Sequence, residues 1–403
     1  MLNTTTSPLH DPGGFPALET HTSKFRPDIQ GMRALAVALV ILAHANVVHC
    51  AGGFIGVDVF FVISGFVITN SLVDFGPGHL RQSLSRFYGR RIRRIVPAAT
   101  LTLVATTVAA YVALGSNFPP LLIGDVRWAS LFAENLRLTA TSANYFIPGL
   151  TPSLVTQFWS LAVEEQFYLF YPLIFLTTMT LAPVQHRRNA LRILLVVGVV
   201  VSAWWSWHAT STAPISSYYS LLTRFWELAL GGLVALTPVA WRCRSRALAL
   251  VVALASLAVI GVCTVRLNAL SAYPGVLAWW PCAAAAVLLW SGERAARGGP
   301  YSWLSWRPVR YVGDLSYSLY LFHYAWLILP LYLSARSASG LQRVGEVAGA
   351  FVCAVFSYHL VENPVRHSTR LRRDTFATAM VLIIGVAATW DATLVIGRLL
   401  AHH

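Results

Sequence analysis

The sequence predicts an all-α, polytopic integral membrane protein, and three observations carry that prediction. Charged residues make up 11% of the 403-residue chain and hydrophobic residues 56%, whereas a soluble protein carries about 25% charged residues. Apolar runs of about 17 to 25 residues, the length that crosses a hydrocarbon layer as helix, recur from Ala34 to Leu400. The basic residues behind the net charge of +14 fall in the short segments between those runs. They report topology instead of a nucleic-acid surface.

Eleven spans follow, near residues 34–50, 54–73, 95–114, 154–182, 193–208, 216–237, 247–265, 273–290, 315–335, 344–361 and 375–397. With the N-terminus in the cytoplasm, 23 of the 30 Lys and Arg lie on the inner side, six lie outside and Arg224 lies within a span. That asymmetry fixes the orientation by the positive-inside rule, multi-pass in a bacterial plasma membrane. Residues 1–32 are polar and hold no apolar signal core, so the first span is expected to be an uncleaved anchor. Residues 115–153, with Pro119, Pro120, Pro148 and Pro152, are expected to lie on the outer face as a lid. Inner loops are too short for a soluble domain. Five cysteines stand singly and form no ligand pattern, so neither a disulfide framework nor a metal site is expected.

Ionisable groups within the spans ask for an explanation, because each costs about 2.5–3.5 kcal/mol at a helix centre. In the first span His44 follows Arg33 by eleven residues, or about 1100° of helix, so the two share one face about 16 Å apart. A neutral imidazole there can take a proton from a hydroxyl; it can equally be bonded to a neighbouring helix. In the second span Asp58 reads as structural. Before the third, RFYGRRIRRIVP carries Arg90, Arg91 and Arg94 within a cluster of six Arg from Arg81 to Arg94. Such a cluster can bind phosphates bidentately, and it can also be a topology signal or a lipid contact.

In the fourth span, WSLAVEEQFYLFYP sets Glu164 and Glu165 in an aromatic helix, where carboxylates need partners or protons. In the sixth, Arg224 and Glu227 are three residues apart and read as a local ion pair. In the ninth, His323 reads as structural and Asp314 as a helix cap. There is no convincing internal repeat, which weakens the main rival reading, a transporter of a sugar-linked or acylated compound.

Taken in order, RPDIQGMRALAV…LAHA, GVDVFFVISGF, YGRRIRRIVPA, WSLAVEEQFYLFYP, RFWELALGG, GDLSYSLYLFH and YHLVENPVR resemble acyltransferase family 3, the membrane-bound sugar O-acyltransferases. The resemblance runs from about Phe25 to Arg366. It implies a ten-helix core plus one further helix: a polar cytoplasmic tail at 1–32, an acyltransferase membrane domain at 33–367, and an additional helix with a short tail at 368–403.

The resemblance also implies transfer of an acyl group, usually acetyl, from acyl-CoA to a carbohydrate hydroxyl, with no metal and no nucleic acid. Arg33 and His44 match the family's arginine and histidine spaced by ten residues, and Arg91 and Arg94 its R-x-x-R motif. The roles expected are His44 as general base, Arg33 on the donor or the oxyanion, Arg91 and Arg94 with Arg90 on CoA phosphates, and Glu164 orienting acceptor or base. An acyl-histidine intermediate stays open. One departure is Gln30, where the family often has an acidic residue; its role is lost or shifted to Asp28. Many relatives carry a further extracytoplasmic hydrolase-like domain and this chain ends at His403, so the resemblance is to the stand-alone members. These act on envelope glycans or, in actinomycetes, on macrolide antibiotics, and one Lys against 29 Arg raises the second option modestly.

Overall fold

The computed structural model describes residues 26–73, 80–141, 152–238, 241, 243, 245–295, 299–334 and 338–401. The tail expected before residue 26 and the Pro148 end of the outer segment lie outside the described residues. All regular structure among the described residues is helical, and each of the eleven predicted spans overlaps one long helix, without matching its bounds. In chain order these are α1 (Pro27–His44), α2 (Gly56–Val73), α3 (Leu80–Leu114), α4 (Phe158–Leu181), α5 (Arg187–Thr212) and α6 (Leu221–Ala235). They continue as α7 (Arg246–Arg266), α8 (Trp279–Ala295), α9 (Arg307–Leu333), α10 (Gly340–Ser357) and α11 (Thr375–Ala401).

The molecule is a multi-pass helical membrane protein. Among the described residues, six helices are long and apolar enough to cross a bilayer: α2, α3, α5, α7, α10 and α11. The other five miss for physical reasons. The helices α6 and α8 are short, at 15 and 17 residues, while α1, α4 and α9 carry the polar side chains of the interior. In the most apolar stretch of each, 72% of the residues are buried in α2 and 22% in the segments of α10 and α11, so α2 is central and the last two are peripheral.

The centre is built by close approach. The helix α1 packs on α9 and α2, α2 packs on α6, and α6 packs on α5. A Cβ at Gly65 of α2 would strike the carbonyl oxygen of Leu228, and one at Gly231 of α6 would strike that of Val62. Bare backbone on both sides lets these helices touch, the small-residue contact that drives association where lipid offers no hydrophobic contrast. Around this centre, α3 packs on α9 and α11.

Several helix ends depart from expectation. The helix α1 begins at Pro27, a residue pre-set for a first turn, and ends at His44, so His44 stands at the helix terminus and not at mid-span. The helix α3 begins at Leu80 and carries the whole arginine cluster as helix. Asp314 lies in the second turn of α9, whose N-cap position is Trp306; it is not a cap, because Pro308 starts the helix earlier. The outer segment forms two short helices, Leu121–Ser130 and Glu134–Ala140, joined by an Asp125–Arg137 ion pair at 2.5 Å.

Candidate functional site

Arg33, Arg91, Arg94 and Arg366 converge with Glu164 and Glu165 on a cavity of about 330 Å³. Four helical segments supply them. Arg33 comes from the second turn of α1, Arg91 and Arg94 from one face of α3, and the two glutamates from α4. Arg366 comes from Asn363–His367, which follows a π-helical turn at Tyr358–Glu362. That turn also aims Glu362 inward, where Oε2 accepts from Ser318 Oγ at 2.8 Å. Turns of this kind recur at functional sites because they re-aim side chains.

Inside the cavity the glutamates and arginines are held differently. Glu164 accepts from Ser64 Oγ at 2.5 Å and from the Tyr168 hydroxyl, while Glu165 Oε1 is buried with no hydrogen-bond partner. Arg33 donates to Gln30 Oε1 at 3.2 Å. Gln30 is thus a neutral partner for this guanidinium. Asp28 does not take over that role, since Arg26 holds it through two nitrogens at 2.5 and 3.2 Å. Arg91 lies over the Tyr168 and Phe87 rings, 4.4 and 5.6 Å from their centres. Among the described residues neither Arg91 nor Arg94 has a salt-bridge partner, so both keep their forks for an anion. Arg90 is apart: its side chain is exposed and donates to Ser71 Oγ at 3.3 Å.

His44 lies beyond this cavity. Its Nδ1 is 3.1 Å from Nε2 of His323, and its ring packs edge-on to Tyr324 with centres 5.0 Å apart. Tyr320 touches both regions. It lines the cavity, its hydroxyl meets Ser160 Oγ at 2.6 Å, and its ring centre is 5.4 Å from that of His323. The structure therefore brings Arg33, Arg91, Arg94 and Glu164 together, sets His44 against His323 past Tyr320, and leaves Arg90 outside.

Ser64, Tyr168, Tyr320 and Arg366 stood in the quoted motifs without a role, and His323 was read as structural. Their partners lie far along the chain and left no local signal.

A second buried polar cluster is structural. Arg224 Nη1 donates to Asp58 Oδ1 at 2.8 Å and to Glu227 Oε1 at 2.9 Å, and its guanidinium lies over Trp159, Tyr218 and Tyr273. The local Arg224–Glu227 pair is present, and Asp58 joins it from α2. Asp58, Glu227 and Cys282 could each offer one metal-ligand atom within 4.8 Å of the others. The guanidinium already supplies the cation those carboxylates need, and a second positive charge beside it would be repelled.

On the outer segment, Glu134 is fully buried and neither carboxyl oxygen has a hydrogen-bond partner. Burial, with Asp125 adding to it and Arg137 opposing, pushes its carboxyl up to about 10.

Comparison with known proteins supplies the context for this geometry. Residues 26–361 match the model of a family described as an acyltransferase domain. The peptidoglycan O-acetyltransferase OatA of Listeria monocytogenes is 30% identical over 86% of this chain and 56% of its own length. BcsY of Komagataeibacter xylinus, a chain assigned as a membrane-bound transacylase, is 32% identical over 84% of this chain and 82% of its own. The O-acetyltransferase OatA of Staphylococcus aureus is 27% identical over 86% and 58%. The chain thus spans little more than half the length of the two OatA proteins. No solved structure matches it.

Proposed function

The chain belongs to the family of the acyltransferase domain it matches, and on that premise we propose that it is a membrane O-acyltransferase that moves an acyl group from acyl-CoA to a hydroxyl of a carbohydrate-containing acceptor. The observation that carries the reading is the grouping of four guanidinium groups, Arg33, Arg91, Arg94 and Arg366, on one cavity, with a histidine paired to His323 further along the helix that carries Arg33. All eleven long helices are read as spans, with α1 running outward from the cytoplasm.

In this reading Arg91 and Arg94 take donor phosphates from the inner side, as bidentate forks suit. Arg33 and Arg366 add charge in the same cavity. From Arg33 to His44 is about 16 Å of helix rise, a span the extended pantetheine arm bridges once Tyr320 gives way. His44 Nε2 takes the acceptor's hydroxyl proton as its oxygen attacks the thioester carbonyl. Collapse of the tetrahedral intermediate breaks the C–S bond, and the same proton leaves with the CoA thiol. An acyl group carried on His44 would use the same atom.

Glu164, held by Ser64 and Tyr168 among the arginines, serves the donor cavity in this scheme and not the base. The names of the relatives favour an envelope glycan as acceptor over the glycosylated antibiotic that the sequence left open. Purified protein in nanodiscs, given radiolabelled acetyl-CoA and cell-wall glycan fragments, should yield CoA thiol and O-acetylated glycan. A transporter would leave the thioester intact, and that result would reject the proposal.

A further inference from the structure

We propose that His323 is a positioning residue that fixes which ring nitrogen of His44 carries the proton. The inference rests on the reading of His44 as the base, and it starts from atoms whose chemistry leaves no choice. His323 is fully buried, and its Nδ1 faces two backbone carbonyl oxygens of its own helix, Tyr320 at 2.7 Å and Leu319 at 3.2 Å. A carbonyl oxygen only accepts, so His323 Nδ1 carries a hydrogen. In the neutral ring its Nε2 is then an acceptor.

His44 Nδ1 lies 3.1 Å from that acceptor. Two lone pairs facing each other at that distance would repel, so His44 Nδ1 carries the hydrogen and donates it. The basic lone pair of His44 is therefore on Nε2. A free neutral histidine in water prefers the opposite form, with hydrogen on Nε2, so this tautomer has to be imposed. A base in the wrong tautomer cannot accept the acceptor's proton through Nε2, and a residue that sets the tautomer acts on the rate without touching substrate.

The geometry also explains why the partner is a histidine. It must accept from His44 on one side and donate to main chain on the other, within a space already closed by Tyr320 and Tyr324. A carboxylate would accept from His44 but would meet the Tyr320 and Leu319 carbonyls with a second negative edge. A glutamine can reproduce both bonds, with its oxygen toward His44 and its amide toward the carbonyls.

The test uses the full chain in lipid nanodiscs with ¹⁵N-labelled histidine, the His44 signals being identified by their loss in His44→Gln. The wild-type His44 ring should read as hydrogen on Nδ1, and His323→Phe should shift it toward hydrogen on Nε2. In parallel, His323→Phe should lower kcat for transfer by about 10²-fold or more with KM for acetyl-CoA nearly unchanged. His323→Gln should recover most of that loss, and it carries the test if His323→Phe fails to fold. Hydrogen on Nε2 in the wild type, an unmoved tautomer in His323→Phe, or no advantage of Gln over Phe would overturn the proposal. The spectroscopic arm needs no turnover, so it stands apart from the catalytic assignment of His44, which His44→Ala tests separately.

Discussion

The guanidinium of Arg91 lies 4.4 Å from the centre of the Tyr168 ring, and the hydroxyl of that same tyrosine donates to Glu164. One aromatic ring thus seats a cation on its face and fixes an anion at its edge. A guanidinium can lie flat against a ring face, which an ammonium cannot.

Loss of that arginine should weaken donor binding. Arg91→Ala or Arg94→Ala should reduce affinity for CoA by about 1.5–3 kcal/mol each, the worth of a charged hydrogen bond, as measured by equilibrium binding of labelled CoA. Arg91→Lys should recover only part of the loss. Arg90→Ala, outside the cavity, should bind as the wild type does; equal losses at positions 90 and 91 would show a diffuse electrostatic effect instead of a site.

Removing His44 should separate binding from chemistry. His44→Ala should lower transfer by about 10²-fold or more while leaving CoA affinity unchanged, because the cavity that holds the arginines does not include His44. Near-normal turnover in that variant would end its assignment as base.

Arg224 should matter for folding and not for catalysis. Its removal leaves Asp58 and Glu227, each 1% exposed or less, without the cation that both share. Arg224→Met should therefore destabilise the fold by about 3–5 kcal/mol, seen as a lower melting temperature in detergent. Adding Asp58→Asn and Glu227→Gln to the same chain should restore part of it. If the triple variant melts no higher than the single one, charge is not what Arg224 contributes.

Much of this was legible in the sequence, for reasons that can be located. Arg33 and His44 lie on one helix, so their period placed them on one face; Arg91 and Arg94 are equally local. Partners set by helix packing were not legible. His323 is 279 residues from His44, and Asp58 is 166 from Arg224. The helices α1, α3 and α9 also begin before the spans that hydropathy gave. Their first turns are polar in sequence and so fall outside an apolar run, yet they are helix all the same.

Glu134 should give stability a pH dependence. Its folded carboxyl titrates near 10, against about 4.5 for the ordinary group, so across that window the folded state holds a proton the unfolded state has lost. Stability from this residue is therefore full below about 4.5 and declines as pH rises, by up to about 1.4 kcal/mol per unit. Glu134→Gln should flatten the fall in melting temperature between pH 6 and 9. An unchanged slope in that variant would mean that the carboxyl is ionised in the fold.

Sidedness can be tested without any assay of function. The positive-inside count puts the loop before α5 and that helix's first turns, with Arg187, Arg188 and Arg192, in the cytoplasm, and the segment after α3 outside. In that orientation the arginine cavity would share the inner side, since Arg91 and Arg94 lie toward the start of α3 while Ser116 follows its end. Ser116 and Gln185 are both exposed, so a cysteine at either should react if the reagent can reach it. In a chain with its five cysteines replaced, Ser116→Cys should be labelled on intact cells by an impermeant thiol reagent and Gln185→Cys only after lysis. The reverse pattern would turn the arginine cavity toward the outside, where no acyl-CoA is available, and a cytoplasmic donor could not be the substrate.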